Sequence, residues 1–93
     1  MVIIKNYPIM YLFGASGHGK VIKDILNANS IKVEAFVDDN LNVNECGGRP
    51  VLHDATGRSP MIVSIGVNRI RKMIVERLKA NNSAIEFISA IHP

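Results

Sequence analysis

A glycine-rich turn lies between an apolar run and a helical pattern near the start of the chain. Residues 9–13 read Ile-Met-Tyr-Leu-Phe, as in a strand that is covered on both faces. Residues 14–20 read Gly-Ala-Ser-Gly-His-Gly-Lys, and helical apolar spacing begins directly after them at Val21. A strand that turns into a helix in this way directs unpaired backbone N–H groups and the positive end of the helix dipole at one point. The turn therefore predicts a site for a phosphate or another anion.

The length and composition of the chain suit one small globular domain. It has 93 residues, of which 47% are hydrophobic and 20% are charged, which argues against disorder. The formal net charge of +3 is too small to indicate a nucleic-acid partner by itself. Because the single cysteine, Cys46, cannot form an internal disulfide, we expect a cytoplasmic protein, with this thiol free and exposed in an irregular loop over residues 41–48.

We expect neither a targeting segment nor a membrane span. The first eight residues are too polar and too few for a signal peptide, and no apolar run reaches the roughly 18 residues of a membrane helix. The chain ends on Pro93 without a closing helix, so we expect a domain of a longer protein, with a short natural chain as the alternative.

Alternating strand and helix patterns predict a parallel sheet covered by helices. Helices are predicted over residues 18–29 and 69–80, with Asn68 as the N-cap of the second. Strands are predicted over residues 9–13, 33–37, 49–52, 61–65 and 85–88. The strand with Pro50 is placed at an edge, because proline cannot donate to a ladder. We expect one three-layer α/β domain over residues 1–93, with a mostly parallel sheet of four or five strands. The basic second helix is expected to be a solvated face and no nucleic-acid surface.

Three turns are expected to meet where the parallel strands end. Ligands of open α/β sheets bind at this edge, since the carboxyl ends of all parallel strands lie there. The turns contain residues 14–19, the pair Asp38-Asp39 and residues 66–68. The candidate binding residues on these turns are Ser16, Gly17, His18, Asp38, Asp39 and Gly66.

Each candidate has a chemical rationale and a structural alternative. Ser16 and His18 suit phosphate or sugar oxygens, and an acid in the position of Asp38 commonly accepts hydrogen bonds from ribose hydroxyls. Asp38 and Asp39 together suit a base edge with an N–H donor, and Gly66 leaves room for a base or a ribose. The alternatives are an exposed histidine without a role, a solvated acidic turn, and glycines that serve only their turns.

Patterns for catalysis, metals and cofactors do not assemble. Side chains of adjacent residues on an extended segment point to opposite sides, so Asp38 and Asp39 make a poor acid–base pair. His53 and His92 lie far apart, and one cysteine cannot complete a zinc site. Lys20 is not followed by Ser or Thr, as a P-loop requires, and the spacing Gly-x-x-Gly-x-Gly differs from the dinucleotide fingerprint. We therefore expect no catalytic residue, no metal site and no cofactor site in this chain.

Four segments in order resemble the amino-terminal domain of PglD/NeuD-like sugar acetyltransferases, a family of sialic acid O-acetyltransferases and nucleotide-sugar N-acetyltransferases. They are YLFGASGHGK (residues 11–20), FVDD (36–39), GRPV (48–51) and IGVNRIR (65–71). The run Ser16-Gly17-His18 is the most specific part, and the resemblance extends over nearly the whole chain.

The resemblance implies a parent protein with two parts. A Rossmann-like amino-terminal domain would hold the nucleotide part of a UDP-sugar or similar acceptor, with the six candidate residues around it and Asp38 and Asp39 on its uracil and ribose. A carboxyl-terminal left-handed β-helix of hexapeptide repeats would form a homotrimer, bind acetyl-CoA and supply a histidine base. We expect that second part to be absent here, the 93 residues alone to be inactive, and His92 not to be the base.

Two other functions stay open at this point. One is an NAD-binding module of an oxidoreductase, against which the glycine spacing and the lack of hydride chemistry weigh. The other is a structural or interaction domain in which the glycine turn holds no ligand.

Overall fold

The computed structural model describes residues 9–82 and 84–88, which form a five-stranded sheet and two helices. In chain order the elements are β1 (Ile9–Phe13), α1 (Gly17–Ala28), β2 (Lys32–Val37), β3 (Glu45–Cys46), β4 (Arg49–Leu52), β5 (Met61–Val63) and α2 (Asn68–Asn81). The strand order is β3-β4-β2-β1-β5, and every neighbouring pair is parallel except β3 with β4. The predicted α/β class and mostly parallel sheet are confirmed, and the architecture is Rossmann-like.

The two helices cover opposite faces of the sheet. Ile22 and Leu26 of α1 pack in one apolar cluster with Leu12 of β1. Phe13, the next residue of β1, belongs to a second cluster with Leu78 of α2. Because side chains of a strand alternate between faces, β1 supplies both clusters and forms the centre of a three-layer domain.

The segment between β2 and β4 differs from the prediction of an irregular loop. Glu45–Cys46 pair antiparallel with β4 through a turn at Gly47-Gly48, whose φ angles are 56° and 84°. Strand β3 therefore occupies the sheet edge, and the placement of β4 at the edge is wrong. Pro50 is tolerated inside the sheet because the β3–β4 ladder has only two residue pairs and β4 first pairs with β2 at Val51.

The prediction of an exposed Cys46 is also wrong. Its side chain is 3% exposed and packs in the cluster beneath α1. Burial raises the pKa of the thiol above its ordinary value, against the opposing effect of the nearby Lys20 ammonium.

Several predicted boundaries shift by one or two residues. Helix α1 begins at Gly17, and α2 begins at Asn68, so that Val67 and not Asn68 is the N-cap. Strand β5 ends at Val63, and of the predicted last strand only a single parallel bridge from Phe87 to Met61 forms. The segment before Ile9 and the predicted roles of His92 and Pro93 lie outside the described residues. Neither helix in the described part of the chain has the length and apolar character that crossing a bilayer requires.

Candidate functional site

The turns after β1, β2 and β5 lie side by side at the carboxyl edge of the sheet. Gly14 donates its N–H to the Val37 carbonyl at 2.8 Å, and Ser64 donates its N–H to the Phe13 carbonyl at 2.8 Å. These bonds continue the parallel ladders past the ends of the strands on both sides of β1. The glycine turn is therefore the central one of the three, with the aspartate turn on one side and the turn containing Gly66 on the other.

The Asp38 carboxylate links the first two turns. Its Oδ2 accepts a hydrogen bond from the Ala15 N–H at 2.8 Å, and its Oδ1 accepts one from the Asn40 N–H at 2.8 Å. Asp38 thus fixes the glycine turn relative to the end of β2, a structural role that the sequence did not reveal. Each carboxylate oxygen still has acceptor capacity for a further donor.

Ser64 holds the central turn from the other side. Its side chain is buried, and its hydroxyl lies 2.8 Å from the Phe13 carbonyl oxygen and 3.2 Å from that of Gly14. Ser64 was not among the candidates predicted from the sequence. Its signal is a hydroxyl inside the apolar run of residues 61–65, where an unpaired polar group would be costly.

The start of α1 presents unpaired donors to solvent. Ser16 is the N-cap with extended backbone (φ −138°, ψ −173°), its hydroxyl caps no backbone N–H, and its carbonyl accepts from Lys20 at 3.0 Å. Ser16, Gly17 and His18 are exposed, and the first turn holds no acidic side chain that would neutralise the helix dipole. An anion placed there meets backbone N–H groups and a serine hydroxyl.

The structure requires glycine at two of four positions in the first and third turns and not at the other two. Gly14 has a φ of 110°, and a Cβ on Gly19 would collide with the Gly14 carbonyl oxygen and approach the Phe36 ring to 2.9 Å. The fold therefore needs glycine at both of these positions. Gly17 and Gly66 have no positive φ, and a Cβ at either would meet nothing within 4 Å. The described structure does not explain glycine at these two exposed positions.

Asp39 is directed away from the glycine turn, toward α2. Its Oδ2 accepts a hydrogen bond from Arg77 Nη2 at 2.9 Å, and the Arg77 guanidinium lies 5.7 Å from the centre of the Phe13 ring. Asp38 and Asp39 therefore serve opposite faces of the sheet, as alternation along an extended segment requires. The structure brings Asp38 to the glycine turn and Asp39 to the α2 side.

A pocket of about 240 Å³, here called the edge pocket, lies beside Asp39 between the sheet edge and α2. Its apolar side chains are Phe13, Val37, Ala55 and Leu78, and its polar ones include Asp39, His53, Asp54, Arg77 and Asn81. His53 and Asp54 line this pocket and were not among the candidates predicted from the sequence. They directly follow β4, so the same rule that selected Asp38 also applies to them.

Local hydrogen bonds order the loop after β4. His53 Nε2 lies 2.9 Å from the Val43 carbonyl oxygen, and the Asp54 carboxylate accepts the Thr56 N–H at 2.9 Å. The hydrogen bond from Thr56 lowers the pKa of Asp54 below its ordinary value.

Arg71 shapes the turn that contains Gly66. Its guanidinium donates to the Ile65 carbonyl at 3.3 Å and to the Asn68 side chain. The turn is thereby fixed while Gly66 itself stays open to solvent.

A larger groove of about 420 Å³ lies elsewhere, between α2 and Phe87. Its lining includes Asn68 and Arg71 beside the third turn but none of the six candidate residues, so its size alone does not make it the site. Among residues 9–82 and 84–88, no three His, Cys, Asp or Glu side chains converge as metal ligands would.

Comparison with known proteins relates the chain to a family. Residues 10–78 match the PglD N-terminal domain. Over 100 aligned positions the chain is 33% identical to UDP-N-acetylbacillosamine N-acetyltransferase from Bacillus subtilis (strain 168). The alignment covers 97% of the chain but 44% of that relative, so the chain spans less than half of the relative's length. No solved structure matches the chain significantly.

Proposed function

The chain belongs to the PglD N-terminal domain family, and we propose that it binds the nucleotide part of a UDP-sugar acceptor for an acetyl-CoA-dependent sugar acetyltransferase. The name of the Bacillus subtilis relative joins a UDP-sugar to N-acetyl transfer, which supports this substrate class. We further propose that acceptor binding is the task of the three turns at the carboxyl edge.

The observation that carries the proposal is the contrast between the glycines. The fold requires glycine at Gly14 and Gly19, while Gly17 and Gly66 are exposed, unstrained and free of neighbours among the described residues. A ligand that lies against the backbone of both the first and the third turn gives these two positions a reason to lack a side chain.

We place the diphosphate at the start of α1. Ser16 supplies a hydroxyl that caps nothing, and the first-turn N–H groups supply donors along the helix axis. His18 is exposed at the same end of the helix and is a further donor to phosphate or sugar oxygens.

We place the nucleoside across the second turn. Asp38 retains acceptor capacity for ribose hydroxyls while it holds the Ala15 N–H. Asp39 has one oxygen on Arg77, so its second oxygen is available to an N–H of the base.

Catalysis is proposed to lie outside these 93 residues. In the parent protein, a histidine base of a trimeric hexapeptide-repeat domain takes a proton from the sugar amine or hydroxyl as it attacks the acetyl-CoA thioester, and the CoA thiol leaves. The chain alone is proposed to bind acceptor without acetylating it. A cytoplasmic location is part of the proposal, because the buried Cys46 is unpaired.

Calorimetric titration of the 93-residue chain with UDP tests the proposed function. We expect saturable binding at micromolar to millimolar ligand, with weaker binding of uridine because it lacks the phosphates. NADH, titrated under the same conditions and followed by its fluorescence, tests the oxidoreductase alternative. No UDP binding at millimolar concentration, or tighter binding of NADH than of UDP, contradicts the proposal.

A further inference from the structure

We infer that Arg77 is a positioning residue for acceptor binding: it orients the Asp39 carboxylate so that one defined oxygen faces the base. This inference rests on the proposed function and adds to it a residue of α2 that lies outside the four family-like segments.

Two contacts fix the guanidinium of Arg77. It donates to Asp39 Oδ2 at 2.9 Å and lies over the Phe13 ring, whose side chain is 4% exposed. Phe13 is the last residue of β1, and Asp39 lies two residues after the end of β2. The Arg77 and Asp39 side chains are 48% and 65% exposed, and through these two contacts Arg77 connects α2 to both strand ends.

The ion pair has a consequence for the free carboxylate oxygen. Oδ2 of Asp39 is occupied, while Oδ1 has no hydrogen-bond partner among the described residues. An ionised carboxylate accepts through both oxygens, so Oδ1 is left for a donor from a ligand. The charge of Arg77 also offsets part of the negative charge that Asp39 and Asp54 place beside the edge pocket, which would otherwise repel an anionic ligand.

The size of the edge pocket indicates which part of the ligand Asp39 meets. Pockets that enclose a whole drug-sized ligand measure about 300 to 1,000 Å³. At about 240 Å³, the edge pocket has room for one ring and not for a complete nucleotide sugar. Phe13, Val37 and Leu78 give it an apolar surface for a flat ring, and Asp39 with Arg77 forms its polar side. A pyrimidine base with a ring N–H fits this arrangement.

A double-mutant cycle on UDP affinity tests whether Arg77 acts through Asp39. Arg77→Met keeps the aliphatic stem over Phe13 and removes the donors, so the fold is expected to persist. We expect Arg77→Met and Asp39→Ala each to raise the Kd for UDP roughly tenfold, as loss of one hydrogen bond to a charged group does. The double variant is expected to bind no more weakly than Asp39→Ala alone. Lys72→Ala removes one positive charge from the same helix outside the edge pocket and is expected to leave the Kd within twofold.

The possible outcomes separate this inference from the proposed function. Wild-type affinity in Arg77→Met, or effects of the two single variants that multiply in the double variant, overturns the positioning role alone. Thermal melting of each variant shows whether it is folded, and a folded Arg77→Met that binds tenfold more weakly with a non-additive cycle supports the role. Absence of saturable UDP binding in the wild-type chain overturns the proposed function and this inference together.

Discussion

The Asp38 carboxylate accepts a hydrogen bond from the backbone N–H of Ala15, 23 residues earlier in the chain, at 2.8 Å. The same side chain accepts the Asn40 N–H at 2.8 Å, so one carboxylate fixes two turns of the proposed site. In the proposed site, acceptor binding by either turn therefore depends on a contact that exists without a ligand. Such preorganisation reduces the entropic cost of binding.

Asp38→Ala is expected to weaken both the fold and UDP binding. It leaves the N–H groups of Ala15 and Asn40 without their acceptor, and the first is partly buried. We expect the free energy of unfolding to fall by about 1–3 kcal/mol, from urea denaturation. Asp24→Ala serves as the control, because its side chain is 79% exposed and lies 3.8 Å from the Lys23 ammonium in a surface ion pair. Equal stability of the two variants contradicts a structural role for Asp38.

Substitution of the glycines is expected to separate folding from binding. Gly17→Ala and Gly66→Ala place a methyl group in open space, so we expect the free energy of unfolding to change by less than about 1 kcal/mol. Because that methyl group would occupy the surface given to the ligand, UDP affinity is expected to fall at least tenfold in both, measured by calorimetry.

Gly19→Ala is the matched control for these two variants. Its Cβ would collide with the Gly14 carbonyl oxygen, so we expect a clear loss of stability there. If Gly17→Ala and Gly66→Ala bind UDP as the wild type does, the two glycines serve only their turns. The contrast between the glycines then no longer supports a ligand site.

Cys46 is expected to make the stability of the chain fall at alkaline pH. Burial raises the thiol pKa in the folded state, so the unfolded chain releases this proton first as the pH rises above the ordinary value of 9.0. The stability contribution of the protonated thiol is complete below that pH and is lost above it. Urea denaturation at pH 7 and pH 10 checks this, with Cys46→Ala as reference. We expect the free energy of unfolding of the wild type, relative to that of Cys46→Ala, to be lower at pH 10 than at pH 7. An equal difference at the two pH values contradicts the prediction.

Local patterns predicted the core of the fold, and tertiary contacts account for most of the rest. The strand, the glycine turn and helix α1 follow each other within 20 residues, so their signals are all local. Strand β3 is only two residues long and exists because β4 lies beside it after a turn at Gly47-Gly48, which no periodicity reveals. Conversely, the segment of residues 85–88 gave a strand signal but forms one bridge, at Phe87.

The candidate site shows the same division. The opposite orientations of Asp38 and Asp39 follow from strand geometry and were predicted from adjacency alone. The partners of these two residues, Ala15 and Arg77, depend on how the glycine turn and α2 pack against the sheet edge. Sequence spacing gives no measure of that packing, so Arg77 was interpreted only as part of a solvated face.

Amide shift mapping by NMR during a UDP titration tests most directly whether three turns form one binding site. We expect saturable shifts with a single Kd at Ser16 to His18, at Asp38 and Asp39, and at Gly66. Shifts confined to the groove between α2 and Phe87, or shifts at the glycine turn that leave Asp38 and Gly66 unchanged, would contradict it.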